Sequence, residues 1–125
     1  MQVTSTLYRF FGLIGGPVQV LALVFAAGLA WRVRDRAAFR ATLAGTVCLA
    51  LSLLSWFLLV QPVNVAWSDA LRVGASEAVQ AYAQVRSRWE TGHVVAFAAC
   101  LIGVALLLRG ILREVSWVPS PGEPG

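Results

Sequence analysis

Three long runs without a single charged residue dominate this chain: residues 10–31, 41–68 and 91–108. They are 22, 28 and 18 residues long. A helix needs ~17–25 apolar residues to cross a hydrocarbon core of ~30 Å, so each run is long enough to span. Inside lipid no water is present to satisfy the backbone, and a helix does so within one segment. In 125 residues, three such runs leave little chain for anything else. The expected fold is therefore all-α: an integral membrane helical bundle with three transmembrane helices, spans at about 10–31, 41–62 and 91–112. A single membrane domain covers 1–118. The tail 119–125, with three prolines and two glycines, is expected to be a disordered end.

Composition agrees. The chain is 58% hydrophobic and 13% charged, against ~25% charged in ordinary soluble domains. A soluble globule of this size could not hide so much apolar surface. These figures exclude a disordered chain, a soluble nucleic-acid binder and a disulfide-stapled secreted domain.

The charge is unusual in kind and in place. All ten basic residues are arginine, and six acids leave a net charge of +4. Arg32, Arg34, Arg36 and Arg40 crowd the loop between the first two runs, and Arg109 and Arg113 follow the third. Under the positive-inside rule this places the 32–40 loop and the C-terminus in the cytoplasm of a bacterial-type plasma membrane. The amino terminus and residues 65–90 then lie outside, and Arg109 snorkels toward the headgroups. The expected partner is the lipid bilayer. No aromatic-plus-basic stretch lies outside the spans, so nucleic acid is not an expected partner. A cleaved signal with Arg9 as its charged start is the competing view of the first run. Gly15-Gly16-Pro17 and the basic run after Trp31 fit a retained helix better.

Residues 65–90 are amphipathic. Gly74 divides them, and Ser76 followed by Glu77 suits a helix start, the hydroxyl capping and the acid facing the positive dipole end. From there Val79, Tyr82, Arg86, Trp89 and His93 recur at helical spacing. Nothing between Glu77 and Arg113 breaks a helix, so the third span is expected to begin outside the membrane and run in continuously. Small residues should set how helices meet: Gly12 with Gly16, and Gly92, Ala96, Ala99, Cys100 and Gly103 along the third helix. That second stripe is also a candidate surface for a second copy of the chain or a partner membrane helix.

Metal chemistry is not expected. There is one histidine, and zinc or copper sites use three or four N or S ligands. Cys48 and Cys100 sit at depths differing by roughly 9 Å at ~1.5 Å per residue, too far apart for a disulfide; both are read as buried, reduced thiols. No GxSxG, P-loop or dinucleotide fingerprint occurs.

What remains is a polar cluster where the second run ends and the third begins. Asn64 and His93 are expected at one depth, facing one cavity, with Trp67, Tyr82 and Trp89 as aromatic walls and Arg86 and Glu90 nearby. Polar groups at membrane depth are costly and usually serve a purpose. Each also has a plainer role. Asn64 suits an N-cap for a helix starting at Val65, Trp67 and Trp89 suit the aromatic belt, Arg86 and Glu90 suit a helix ion pair, and His93 suits packing.

The pattern Leu59-Val60-Gln61-Pro62-Val63-Asn64, then an amphipathic segment, then Arg88-Trp89-Glu90-Thr91-Gly92-His93 and a closing apolar helix resembles the anthrone oxygenase-like family of small four-helix membrane proteins. Tyr8-Arg9-Phe10, Pro17 and Gln19 resemble the start of that family's second helix, and the likeness covers residues 8–108. The family's usual first helix has no counterpart here, so a shortened member or a late start site is expected. The resemblance implies an oxygenase without metal or cofactor, acting on planar anthrone-like phenolics. His93 would be the general base, Asn64 would hold the developing oxyanion, and Trp67, Tyr82 and Trp89 would stack on the substrate. The other expectation is a non-enzymatic membrane component, accessory subunit or hydrophobic-ligand binder, in which Asn64, Arg86, Glu90 and His93 only latch the helix ends together.

Overall fold

The structure is a computed structural model that describes residues 2–116, with side chains from residue 13 onward. Helix α1 is Gln2–Arg32, α2 is Phe39–Ser55, a π-helical turn occupies Trp56–Val60, α3 is Gln61–Val73 and α4 is Ala75–Val115. No strand occurs among the described residues. Three helical stretches are long and apolar enough to cross a membrane: Leu13–Arg32, Phe39–Val73 and Ala75–Val115. The tail 119–125 lies outside the described residues.

Surface exposure supports lipid as the solvent. Leu13, Leu21, Phe25 and Leu112 are each about two-thirds exposed or more. Buried hydrophobic positions are mostly small, among them Ala26, Ala30, Ala38, Ala41 and Ala78. A water-soluble core would show the reverse, with large side chains inside. Where lipid meets the outer faces, the helices gain by close backbone approach instead.

The chain divides into two compact units, Met1–Val47 with Gly103–Gly125, and Cys48–Ile102. In the first, α1 ends in a turn closed by Arg34 N–H to Trp31 O and Arg36 N–H to Val33 O, at 3.3 and 2.9 Å. The start of α2 then runs antiparallel to the end of α4. Arg36 pairs with Glu114 at 2.9 Å. A Cβ on Gly110 would come within 2.6 Å of Thr42 Oγ1, and one on Gly45 within 2.8 Å of the Gly103 carbonyl. Thr42 and Thr46 donate their hydroxyls to the carbonyls of Ala38 and Thr42, one turn back, at 3.0 and 2.9 Å. Those bonds let two polar side chains sit in an apolar helix without orphaned groups.

The second unit is also a helical hairpin, with Gly74 at its tip. Gly74 is extended (φ 172°, ψ 166°), and its N–H closes α3 on the Ala70 carbonyl. Beyond it α4 proceeds unbroken for 41 residues, as the lack of breakers implies. Ser52, almost fully buried, donates to the Ala96 carbonyl at 2.7 Å. A Cβ on Gly92 would fall 2.8 Å from Leu59 Cβ and 2.9 Å from Val60 Cγ2. So Gly92 and Ala96 here, with Gly103 and Gly110 in the first unit, approach the chain's own second helical stretch.

Pro62 explains the π-helical turn. Proline lacks the N–H that would bond the Leu58 carbonyl four residues back, and its ring collides with that carbonyl. The helix widens by one residue there, and Gln61 N–H reaches Trp56 O, five residues back. The turn lets α2 pass into α3 without an intervening loop.

Several expectations change. Asn64 lies within α3, with no helix start at Val65, so it is not a cap. The start of α4 falls at Ala75, and Ser76 Oγ bonds Glu77 Oε2 at 2.7 Å instead of capping. The cysteines are free thiols, half-buried rather than buried. Gly16 has no neighbour within 4 Å of an added Cβ among the described residues; the surroundings of Gly12 lie outside them.

Candidate functional site

The expected polar cluster lies in the second unit, built by α3 and the first turns of α4. Trp89 is its centre. Its indole N–H donates to Asn64 Oδ1 at 3.0 Å, across from α4 to α3. Its backbone carbonyl meets His93 Nδ1 at 2.9 Å, and the Trp89 and His93 rings lie 4.1 Å apart at 47°. Asn64, Trp89 and His93 are all half-buried.

These contacts fix the chemistry of each polar atom. An indole nitrogen only donates, so the Asn64 amide turns its oxygen to Trp89 and its NH2 away. A carbonyl only accepts, so neutral His93 carries its proton on Nδ1. The lone pair is then on Nε2, where a proton acceptor would be needed.

Trp67 and Tyr82 form a second contact between the same helices, ring centres 5.7 Å apart and tilted by 40°. Arg86 and Glu90 are joined one turn apart on α4 at 2.7 Å, both exposed. Bonding to Glu90, and its charge, hold the Arg86 guanidinium above its ordinary value. Further toward the tip, the Ser76 hydroxyl holds the Glu77 carboxyl below the usual range. Both groups precede the uncharged run that begins at Thr91.

An open groove of about 330 Å³ runs along α3, lined by Gln61, Asn64, Val65, Ser68, Asp69 and Arg72. It includes Asn64 but neither His93 nor the three aromatic residues. Asn64 and His93 are joined through Trp89. No group of three or more metal-ligating side chains comes together among the described residues.

Sequence reasoning did not single out two residues that the structure makes important. Arg88 donates from its guanidinium to the Leu58 carbonyl at 3.0 Å. That is the carbonyl Pro62 cannot bond, so an arginine on α4 supplies the missing donor. The signal was present: a proline inside an apolar run leaves a carbonyl four residues earlier in need of a partner. Ser52 is the second, a hydroxyl in an apolar run that reaches across to the Ala96 carbonyl of α4.

Compared with known protein families, with curated proteins and with solved structures, the chain matches none.

Proposed function

We infer that this chain is a non-enzymatic integral membrane component on the plan of the anthrone oxygenase-like family, and that its Asn64–Trp89–His93 cluster is a latch holding the end of α3 to α4. The observation that carries this reading is the 3.0 Å bond from Trp89 to Asn64. The polar atoms of Asn64 and Trp89 meet each other, and His93 Nδ1 meets the Trp89 carbonyl. In lipid such interhelical bonds contribute about 0.6–2 kcal/mol each. The six arginines 32, 34, 36, 40, 109 and 113 support a cytoplasmic placement of the 32–40 loop and the C-terminus.

Two measurements test this. Asn64→Ala and His93→Ala are expected to lower the unfolding temperature of the protein in detergent while leaving any turnover of anthrone unchanged. Alkaline phosphatase fused at the C-terminus is expected to be inactive and a fluorescent protein fused there to be bright. The opposite pair of results reverses the orientation.

One observation favours a second reading, a cofactor-independent oxygenase. Nδ1 of His93 is taken by the Trp89 carbonyl, which leaves Nε2 as the base. His93 would remove a proton from the methylene of an anthrone, and the Asn64 NH2 would hold the oxyanion. The carbanion would then reduce dioxygen, giving a peroxide that loses water to leave the quinone: anthrone plus O2 gives anthraquinone plus H2O. On this reading His93→Gln slows oxidation by about 10²–10⁴-fold. Wild-type protein in nanodiscs that consumes no oxygen with 1,8-dihydroxyanthrone excludes it.

A further inference from the structure

Within the second unit, two hydrogen bonds tie the second helical stretch to α4, one on each side of the π-helical turn. Before the turn, the Ser52 hydroxyl donates to the Ala96 carbonyl at 2.7 Å. Beyond it, Asn64 Oδ1 accepts from the Trp89 indole at 3.0 Å. Ala96 and Trp89 are seven apart on α4, close to two full turns, and so share a face of that helix. Ser52 and Asn64 are twelve apart. At ~100° per residue a regular α-helix would set them about 120° apart around its axis, turning Asn64 away from the helix that Ser52 touches. The turn at Trp56–Val60 closes five residues back instead of four, Gln61 N–H to Trp56 O. It takes up one residue, and the angle between Ser52 and Asn64 falls to about 20°.

Two side chains favour the turn. In a regular helix the Pro62 ring would meet the Leu58 carbonyl, and Arg88 donates to that same carbonyl at 3.0 Å. Arg88 and Trp89 are neighbours in the sequence, so adjacent residues of α4 grip the stretch at the turn and just past it. A regular turn would advance everything after it by one position, a rotation of ~100° and a shift of ~1.5 Å. Val63, only 4% exposed, would then stand where Asn64 stands, and Asn64 would move to the place of Val65, which is 50% exposed.

We propose that the π-helical turn is a register device for the latch. Pro62 and Arg88 select the register in which Asn64 meets Trp89, over a second one in which α3 is rotated by ~100° and Val63 takes that place. The proposal rests on the Trp89–Asn64 bond of the latch reading, and its experiment reads that bond directly rather than stability. An unfolding temperature indifferent to Asn64→Ala would end the latch reading and leave the register to be judged by its own signal.

The test uses the full chain in nanodiscs, isotopically labelled on its tryptophan indole nitrogens for NMR, with the Trp89 signal identified by its absence from Trp89→Phe. Asn64→Val is expected to move that signal, which defines its bonded and unbonded positions. Pro62→Ala/Arg88→Met leaves both bonding residues in place, yet is expected to move the signal to the unbonded position. Adding Val63→Asn/Asn64→Val to that background is expected to bring it back, whereas the same exchange in the wild type is not. A signal indifferent to Asn64→Val overturns the proposal, as does one that stays bonded in Pro62→Ala/Arg88→Met. So does an exchange of residues 63 and 64 that restores the signal in both backgrounds or in neither. Should the double variant fail to fold, Arg88→Met alone decides. Solvent exchange of the Trp89 indole proton is then expected to quicken about tenfold, and an unchanged rate overturns the proposal.

Discussion

Trp89 joins α3 to α4 through its side chain and the next turn of α4 through its carbonyl. Removing the indole N–H therefore acts on two helices. Trp89→Phe keeps the ring and leaves Asn64 Oδ1 without that donor, and we expect a loss of about 1–3 kcal/mol. In a double-mutant cycle with Asn64→Ala the coupling should be about 1 kcal/mol, read from unfolding in a detergent series. A coupling near zero would mean the bond adds nothing. Asn64, Trp89 and His93 were legible in the sequence as polar and aromatic residues at helical spacing near a membrane boundary. Their arrangement was not. A cap and a mid-helix side chain demand the same residue type, and only the continuation of the helix through Pro62 decides between them. Arg86 and Glu90 form the ion pair within one helix that their spacing suggested, whereas the contact of Trp67 with Tyr82 between helices was not among the roles their positions suggested.

At the scale of the element, the turn at Pro62 in the second helical stretch meets a donor on another helix. Pro62 removes one bond, and Arg88 gives one back at the Leu58 carbonyl. Pro62→Ala should let a regular turn re-form, so losing Arg88 should matter less in that background. We expect Arg88→Met to cost about 1–3 kcal/mol in the wild type and less than half of that with Pro62→Ala present. Equal costs in both backgrounds would separate the arginine from the proline. Gly92 offers a second test. A side chain there meets Leu59 and Val60, so Gly92→Val should destabilise by about 1–3 kcal/mol. Gly28 has nothing within 4 Å of an added Cβ, and Gly28→Val should be tolerated. The three spans were readable from uncharged length alone. The π-helical turn was not, because hydropathy registers an apolar run and says nothing of how its carbonyls are satisfied.

For the whole molecule, the decisive property is which faces are apolar. Leu21 is 68% exposed in the middle of α1. In a protein bathed by water, Leu21→Arg would be harmless. In a bilayer the same change costs about 2.5–3.5 kcal/mol of insertion free energy. We expect the variant to shift from the carbonate-resistant membrane fraction toward aggregate or degradation, whereas Arg72→Gln should stay with the membrane. All-helical architecture followed from composition, since a chain this short and this apolar has few other ways to satisfy its backbone in lipid. The pairing of helices did not follow, because alanine and glycine are frequent throughout and only contact reveals which of them face another helix. Gly92 and Gly110 do so, whereas nothing among the described residues lies within 4 Å of a Cβ added at Gly16.

A ribosome delivers Leu58 well before Arg88, the two being 30 positions apart. During synthesis the second span thus enters the membrane before the guanidinium that bonds the Leu58 carbonyl in the folded chain has been made. That bond closes only when the following helix folds back past Gly74. The bond that ties the middle helix to the last one is therefore a late event, absent from any nascent chain halted before Arg88.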